Sequence, residues 1–121
     1  YGNKRADVSP FEVISIVFPA GTLSGAPKIR AMELIRELET YARNVYGGGI
    51  GFLHFNGNVQ LAIVIRSAFF EAAHPNSRQQ RVFIQAGAGI VYDSVPEREY
   101  AEIQHKRASV LNIFINNCKE I

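Results

Sequence analysis

The chain has 121 residues, of which 47% are hydrophobic and 20% charged, with a formal net charge of +2. That is enough chain for one globular domain with a core, and it is too apolar and too weakly charged for intrinsic disorder. No basic run marks a nucleic-acid or membrane surface, and no apolar run reaches the roughly 18 residues of a spanning helix. A single cysteine, Cys118, excludes an internal disulfide and fits a reducing, cytoplasmic compartment. The opening "YGNKRADVSP" carries no signal-peptide pattern and reads as a linker or the interior of a longer chain. The expected division is therefore residues 1–8 as linker or truncated start, and 9–121 as the folded part.

In chain order, "SPFEVISIVF" predicts a short helix with Ser9 as N-cap and Pro10 in the first helical position. Phe11, Ile14, Val17 and Phe18 follow helical spacing. "PAGTLSG" is a loop. Ser24 is expected to cap a second helix with Pro27 in its first turn. Ile29, Met32, Ile35 and Leu38 would form its buried stripe, with Arg30, Glu33, Arg36 and Glu37 mostly on the wet side. "GGIGFLHF" and "NVQLAIVIRSAFF" flank Asn56-Gly57, a strong hairpin signal. Leu61 to Ile65 is apolar on both faces, which predicts a strand covered on both sides.

After the polar connection "EAAHPNSRQQ", "RVFIQAGAGIV" reads as a third strand. Ser94 and Glu97 have capping-box spacing around Pro96 and open a final helix to about Asn116. Its apolar face is Tyr100, Ile103, Val110, Leu111 and Phe114. The expected fold is α+β, an antiparallel three-strand meander with helices packed against it, in the order α-α-β-β-β-α.

Several residues have chemical potential, each beside a plainer alternative. Glu99, Glu102 and Lys106 stand at i, i+3 and i+7 on one helix face. Paired carboxylates repel unless a cation lies between them, and a few hard oxygen ligands suit Mg²⁺. A solvated face, or acidic residues favoured by the helix dipole, gives the same spacing. Gly87 and Gly89 alternate with Ala86 and Ala88 on the predicted strand, so backbone N–H groups stand open to a carboxylate or to a packing helix. "GTLSGAPK" is not a nucleotide-binding phosphate loop, because position 26 is Ala and no hydroxyl follows Lys28. It leaves Thr22 and Ser24 in a glycine-rich loop entering a helix N-terminus, where anions are attracted or a cap suffices.

Arg66 falls inside the apolar strand, and burial there demands an anionic partner, either a protein glutamate or a ligand carboxylate. Tyr46, before Gly47-Gly48-Gly49, offers a phenol to a ligand or packs. His54, His74 and His105 lack metal-ligand spacing, and Cys118 has no evident base.

"AGTLSGAPKIRAMELIRELE", "YGGGIGF", "GNVQLAIVIRSA" and "QAGAGIVYDSVPEREYAE", in this order over residues 17 to 115, resemble the C-terminal part of the chorismate-binding enzymes. The "GTLSGAPK" form is most similar to anthranilate synthase component I, with aminodeoxychorismate synthase component I the close relative. The resemblance implies a segment of the larger chorismate-binding fold. It also implies a reaction in tryptophan biosynthesis, in which chorismate and ammonia give anthranilate and pyruvate. Mg²⁺ is the implied cofactor, and a glutamine amidotransferase partner supplies the ammonia.

Residue by residue, the resemblance implies that Gly87, Ala88 and Gly89 present backbone to a substrate carboxylate. Glu102 becomes a Mg²⁺ ligand with Glu99 close by. Arg66 pairs with the enolpyruvyl carboxylate with help from Tyr46, Thr22 lines the ring region, and Lys106 lies near metal and substrate. Gln60-Leu61 and Ile103 depart from the family pattern. The family's catalytic acid–base residues lie upstream, so no catalytic residue is expected within this segment. The segment alone is expected to be inactive and to self-associate through exposed strand edges. A carboxylate-binding module without catalysis is the alternative from another class.

Overall fold

The computed structural model describes residues 1–72 and 80–117, which form two compact units, Tyr1–Val64 and Ile65–Ile121. His74, Cys118 and most of the polar connection lie outside the described residues.

The first unit opens with α1 (Pro10–Val17). Its start is set by a capping box. The Ser9 hydroxyl accepts from the Glu12 N–H at 3.2 Å, and the Glu12 carboxylate accepts from the Ser9 N–H at 2.7 Å. Two of the orphan donors of the first turn are thereby satisfied. A one-turn helix, α2 (Gly21–Ser24), follows, then α3 (Lys28–Leu38).

Ser24 does not cap α3, contrary to expectation. It ends α2, and its buried hydroxyl donates back to the Ala20 carbonyl at 3.2 Å, while Pro27 takes the N-cap position. A serine hydroxyl bonds whichever nearby carbonyl its own turn supplies, and here that turn is α2. The apolar stripe of α3 is also not buried. Ile29 and Leu38 are 71% and 78% exposed, because the unit supplies this face with little apolar partner.

The hairpin falls where Asn-Gly placed it. β1 (Gly49–Leu53) pairs antiparallel with β2 (Val59–Ile63), from Gly49 opposite Ile63 to Leu53 opposite Val59. Gly57 takes a φ of +85°, and its N–H donates to the His54 carbonyl at 2.9 Å. Two further backbone bonds extend the pairing past the strands, Gly47 N–H to Val64 O at 2.8 Å and Val64 N–H to Gly48 O at 2.9 Å. Val64 is buried. At Gly51 a Cβ would run into the Gln60 carbonyl and stand 2.9 Å from the Leu61 Cα, so the two backbones meet where there is no side chain.

The second unit holds β3 (Ala68–Ala72), β4 (Gln80–Ile84) and α4 (Pro96–Asn117). β3 and β4 are antiparallel, from Ala68 opposite Ile84 to Ala72 opposite Gln80. Val110 is buried on α4, and the Phe114 ring meets Phe70 of β3 edge-on at 5.2 Å.

The α+β class holds, but the strands form two two-stranded sheets rather than one three-strand meander, and the order is α1-α2-α3-β1-β2-β3-β4-α4. The run expected as one strand through Arg66 breaks at that residue, which has a φ of +54°. A left-handed residue cannot continue a pleated strand. The apolar run before it is not covered on both sides: Ala62 is exposed and Ile65 is 41% exposed. The strand expected to reach Val91 stops at Ile84, because β3 begins at the residue opposite it.

Candidate functional site

The candidate residues divide between the two units. In the first, Thr22 is exposed on α2 and Tyr46 is half-buried in the turn before β1. A cavity of about 690 Å³ lies between α2, the end of α3 and this turn, and Tyr46, Leu23, Arg43 and Glu39 are among its walls. Arg43 ties these pieces together. Its Nη2 and Nε donate to the Glu39 carboxylate at 2.6 and 2.9 Å, and its Nη1 donates to the Leu23 carbonyl at 3.0 Å. The hydrogen bonds it donates to Glu39 hold the guanidinium above its ordinary pKa, against the opposing effect of partial burial.

Gly47 takes a φ of +79°, and a Cβ there would stand 3.0 Å from Leu23 Cδ1, so the glycine lets the Leu23 side chain lie against the turn. Tyr46 lines the cavity and Thr22 does not. Arg43 and Glu39 were not singled out from the sequence. Their signal was the i,i+4 pair in "ETYAR", which resembles any solvated helix end.

In the second unit the glycine segment runs from the end of β4 toward α4 outside any strand. A Cβ at Gly89 would meet nothing within 4 Å, so no close-packed neighbour demands a glycine there. Lys106 joins this segment to the helix. Its ammonium donates to the Gly87 carbonyl at 3.0 Å and forms an ion pair with Glu102 one turn back. The lysine side chain is 23% exposed and that of Glu102 is 52% exposed.

The Lys106 hydrogen bond, then its charge, and more weakly the Arg66 charge hold the Glu102 carboxyl below its usual pKa. Glu99 is held differently: the Ser94 hydroxyl donates to its Oε1 at 2.8 Å while accepting from the Val91 N–H at 3.0 Å. Ser94 does not form a box with Glu97. The first turn of α4 is closed instead by the Val95 carbonyl, which accepts from Arg98 and Glu99. Arg66 is exposed in the break between β2 and β3, so the argument from a buried guanidinium does not hold.

Glu99 and Glu102 are the candidate metal ligands. Among the described residues no group of three or more His, Cys, Asp or Glu is gathered to hold a metal ion. Mg²⁺ is commonly held by one or two carboxylates with waters and a substrate oxygen, so an ionised Glu102 with Glu99 on the same face is a donor set that fits it. Open backbone at Gly89, a lysine tethered at Gly87 and two carboxylates together can engage an anion and a cation side by side. Among the described residues no helix is long and apolar enough to cross a membrane.

The model of the chorismate binding enzyme family matches residues 1–112. The chain is 53% identical over 110 residues to anthranilate synthase component 1 of Methanothermobacter thermautotrophicus, covering 91% of this chain and 22% of that protein. It is 51% identical over 110 residues to the protein of the same name from Acetivibrio thermocellus, covering 91% of this chain and 21% of that one. The Aquifex aeolicus protein of that name is 44% identical over 110 residues, again 91% of this chain and 21% of the relative. The chain thus spans about a fifth of the length of these relatives.

Proposed function

The chain belongs to the chorismate-binding enzyme family, and from that membership we propose that it is the C-terminal part of an anthranilate synthase component 1. The complete enzyme would convert chorismate and ammonia to anthranilate and pyruvate in the cytoplasm. The ammonia would come from a glutamine amidotransferase partner. The relatives described above carry that name, which favours this reading over the aminodeoxychorismate one.

The observation that carries the reading is the Lys106 bridge, which brings the glycine segment and the Glu102 carboxylate to one place. In this reading the Gly87–Gly89 backbone receives the ring carboxylate of chorismate. Glu102, with Glu99 on the same helix face, would hold the Mg²⁺ ion. When bound, that cation supplies electron withdrawal from the ring carboxylate, which favours nucleophilic addition and loss of the hydroxyl. Arg66, exposed at a left-handed backbone position, pairs with the enolpyruvyl carboxylate. Lys106 adds a positive charge beside Glu102 and the glycine segment, and in the first unit Thr22 and Tyr46 are the candidates for substrate contact. These groups bind and orient a dianion. The acid–base residues belong to the larger part of the enzyme, so this chain alone forms no anthranilate.

Calorimetric titration of the chain with chorismate, with and without Mg²⁺, tests the reading. Magnesium-dependent binding that Arg66→Ala abolishes is the expected result. Binding that ignores both metal and Arg66 would overturn the residue assignments.

A further inference from the structure

Resting on the metal reading above, we propose that Lys106 is a placeholder cation: its ammonium occupies Glu102 until a divalent ion takes that carboxylate, and stays tethered by the Gly87 carbonyl when it is released.

Three observations carry this. First, Glu102 is more than half exposed, yet its carboxylate is engaged by a lysine whose own side chain is 23% exposed. An exposed pair of this kind contributes little stability, so Glu102 is cheaply released. Second, Lys106 has a second acceptor outside the helix, the Gly87 carbonyl at 3.0 Å, which keeps the ammonium beside the glycine segment after Glu102 lets go. Third, the neighbouring carboxylate is held by a neutral hydroxyl: Glu99 accepts from Ser94 at 2.8 Å. A neutral donor does not repel an arriving cation, so of the two carboxylates only Glu102 requires a charge to be moved aside.

The consequence is a link between metal and anion binding. Before the metal arrives, the ammonium is neutralised by Glu102 and offers little to an anionic ligand. Once Glu102 is taken, the ammonium stands uncompensated at Gly87, next to the backbone at Gly89. One carboxylate thereby exchanges a monovalent partner for a divalent one, and the freed charge is passed to the place where a carboxylate is received.

The test reads metal affinity rather than activity. Mn²⁺ binding to this chain, followed by electron paramagnetic resonance, is compared for the unaltered chain, Lys106→Met and Lys106→Arg. Removing a unit charge a few ångströms from a divalent ion, screened at physiological salt, is expected to tighten binding roughly three- to tenfold in Lys106→Met. Lys106→Arg should bind no more tightly than the unaltered chain. If the unaltered chain binds Mn²⁺ and Lys106→Met binds it equally or more weakly, the lysine supports the site and the placeholder role fails while the metal reading stands. If no form binds, the metal reading fails and this proposal with it.

A second measurement needs no variant. In the unaltered chain the Lys106 ¹⁵Nζ resonance should shift on titration with diamagnetic Mg²⁺. A resonance that stays in place while metal binds would overturn the exchange.

Discussion

Arg43→Met should loosen the whole turn that carries Tyr46. The guanidinium makes a two-pronged contact with Glu39, with side chains 28% and 38% exposed, and a single bond to the Leu23 carbonyl. A partly exposed ion pair of good geometry contributes about 0.5–1 kcal/mol, and a charge-assisted bond to a carbonyl about 1 kcal/mol. Methionine keeps most of the aliphatic stem, so the loss should be about 1–2 kcal/mol, or about 7–15 °C in Tm for a unit of this size. Thermal unfolding reads the total, and amide hydrogen exchange at Leu23 and at Tyr46 to Gly48 reads its location. Glu39→Gln supplies the other side of a double-mutant cycle, with an expected coupling of about 0.5–1 kcal/mol. Additive effects, or unchanged exchange at Leu23, would show that the clamp exists in geometry only.

Three further outcomes follow from the same contacts. Gly51→Ala should cost about 1–3 kcal/mol and disrupt the β1–β2 pairing, seen as loss of cross-strand nuclear Overhauser effects, since its Cβ meets backbone that cannot rotate away; an intact hairpin would refute the close approach. The Glu12 pKa is lowered chiefly by the bond from the Ser9 backbone N–H. Its contribution is thus present above the unfolded pKa and lost as pH falls through the folded one, so α1 helicity should drop on acidification, and Glu12→Gln should flatten that profile. The chain should also self-associate with rising concentration in sedimentation velocity. Ile50 and Phe52 on β1 are 65% and 69% exposed, and each sheet has two strands with edges to pair; a single monomeric species throughout would contradict this.

What was legible in the sequence was local. Ser9 and Pro10 announced α1 because a cap and a first-turn proline act within four residues, and Asn56-Gly57 announced its hairpin for the same reason. Ser24 and Ser94 misled because a hydroxyl near a helix start has several acceptors and donors in reach, and only the folded turn selects among them. Arg66 misled more deeply. Nothing in "VIRSAFF" marks a left-handed arginine, so a long apolar run read as one strand and its arginine as buried. In the candidate site, the shared face of Glu99, Glu102 and Lys106 was visible as helical spacing. The reach of Lys106 to Gly87 was not, because it depends on where the chain returns after β4.

The two kinds of order in this molecule differ in origin. Among the described residues only Val64 and Val110 are buried apolar side chains, so hydrophobic burial is not what sets the site's local geometry. That geometry comes from individual polar contacts: a capping box at Ser9, the Arg43 clamp on Glu39 and Leu23, the Ser94 bond to Glu99, and the Lys106 bridge. Such contacts need little cooperative core: the capping box and the Ser94 bond stay within a turn or two, and the Arg43 and Lys106 contacts close longer loops whose entropic cost grows only slowly with length. They aim individual side chains, but each contributes too little to hold large elements together. A segment built this way can carry correctly oriented pieces of a binding site while depending on additional apolar surface to fix them as one. On the function proposed above, the candidate substrate and metal residues are aimed within the segment by these local contacts, and the weak core leaves their cohesion to further apolar surface.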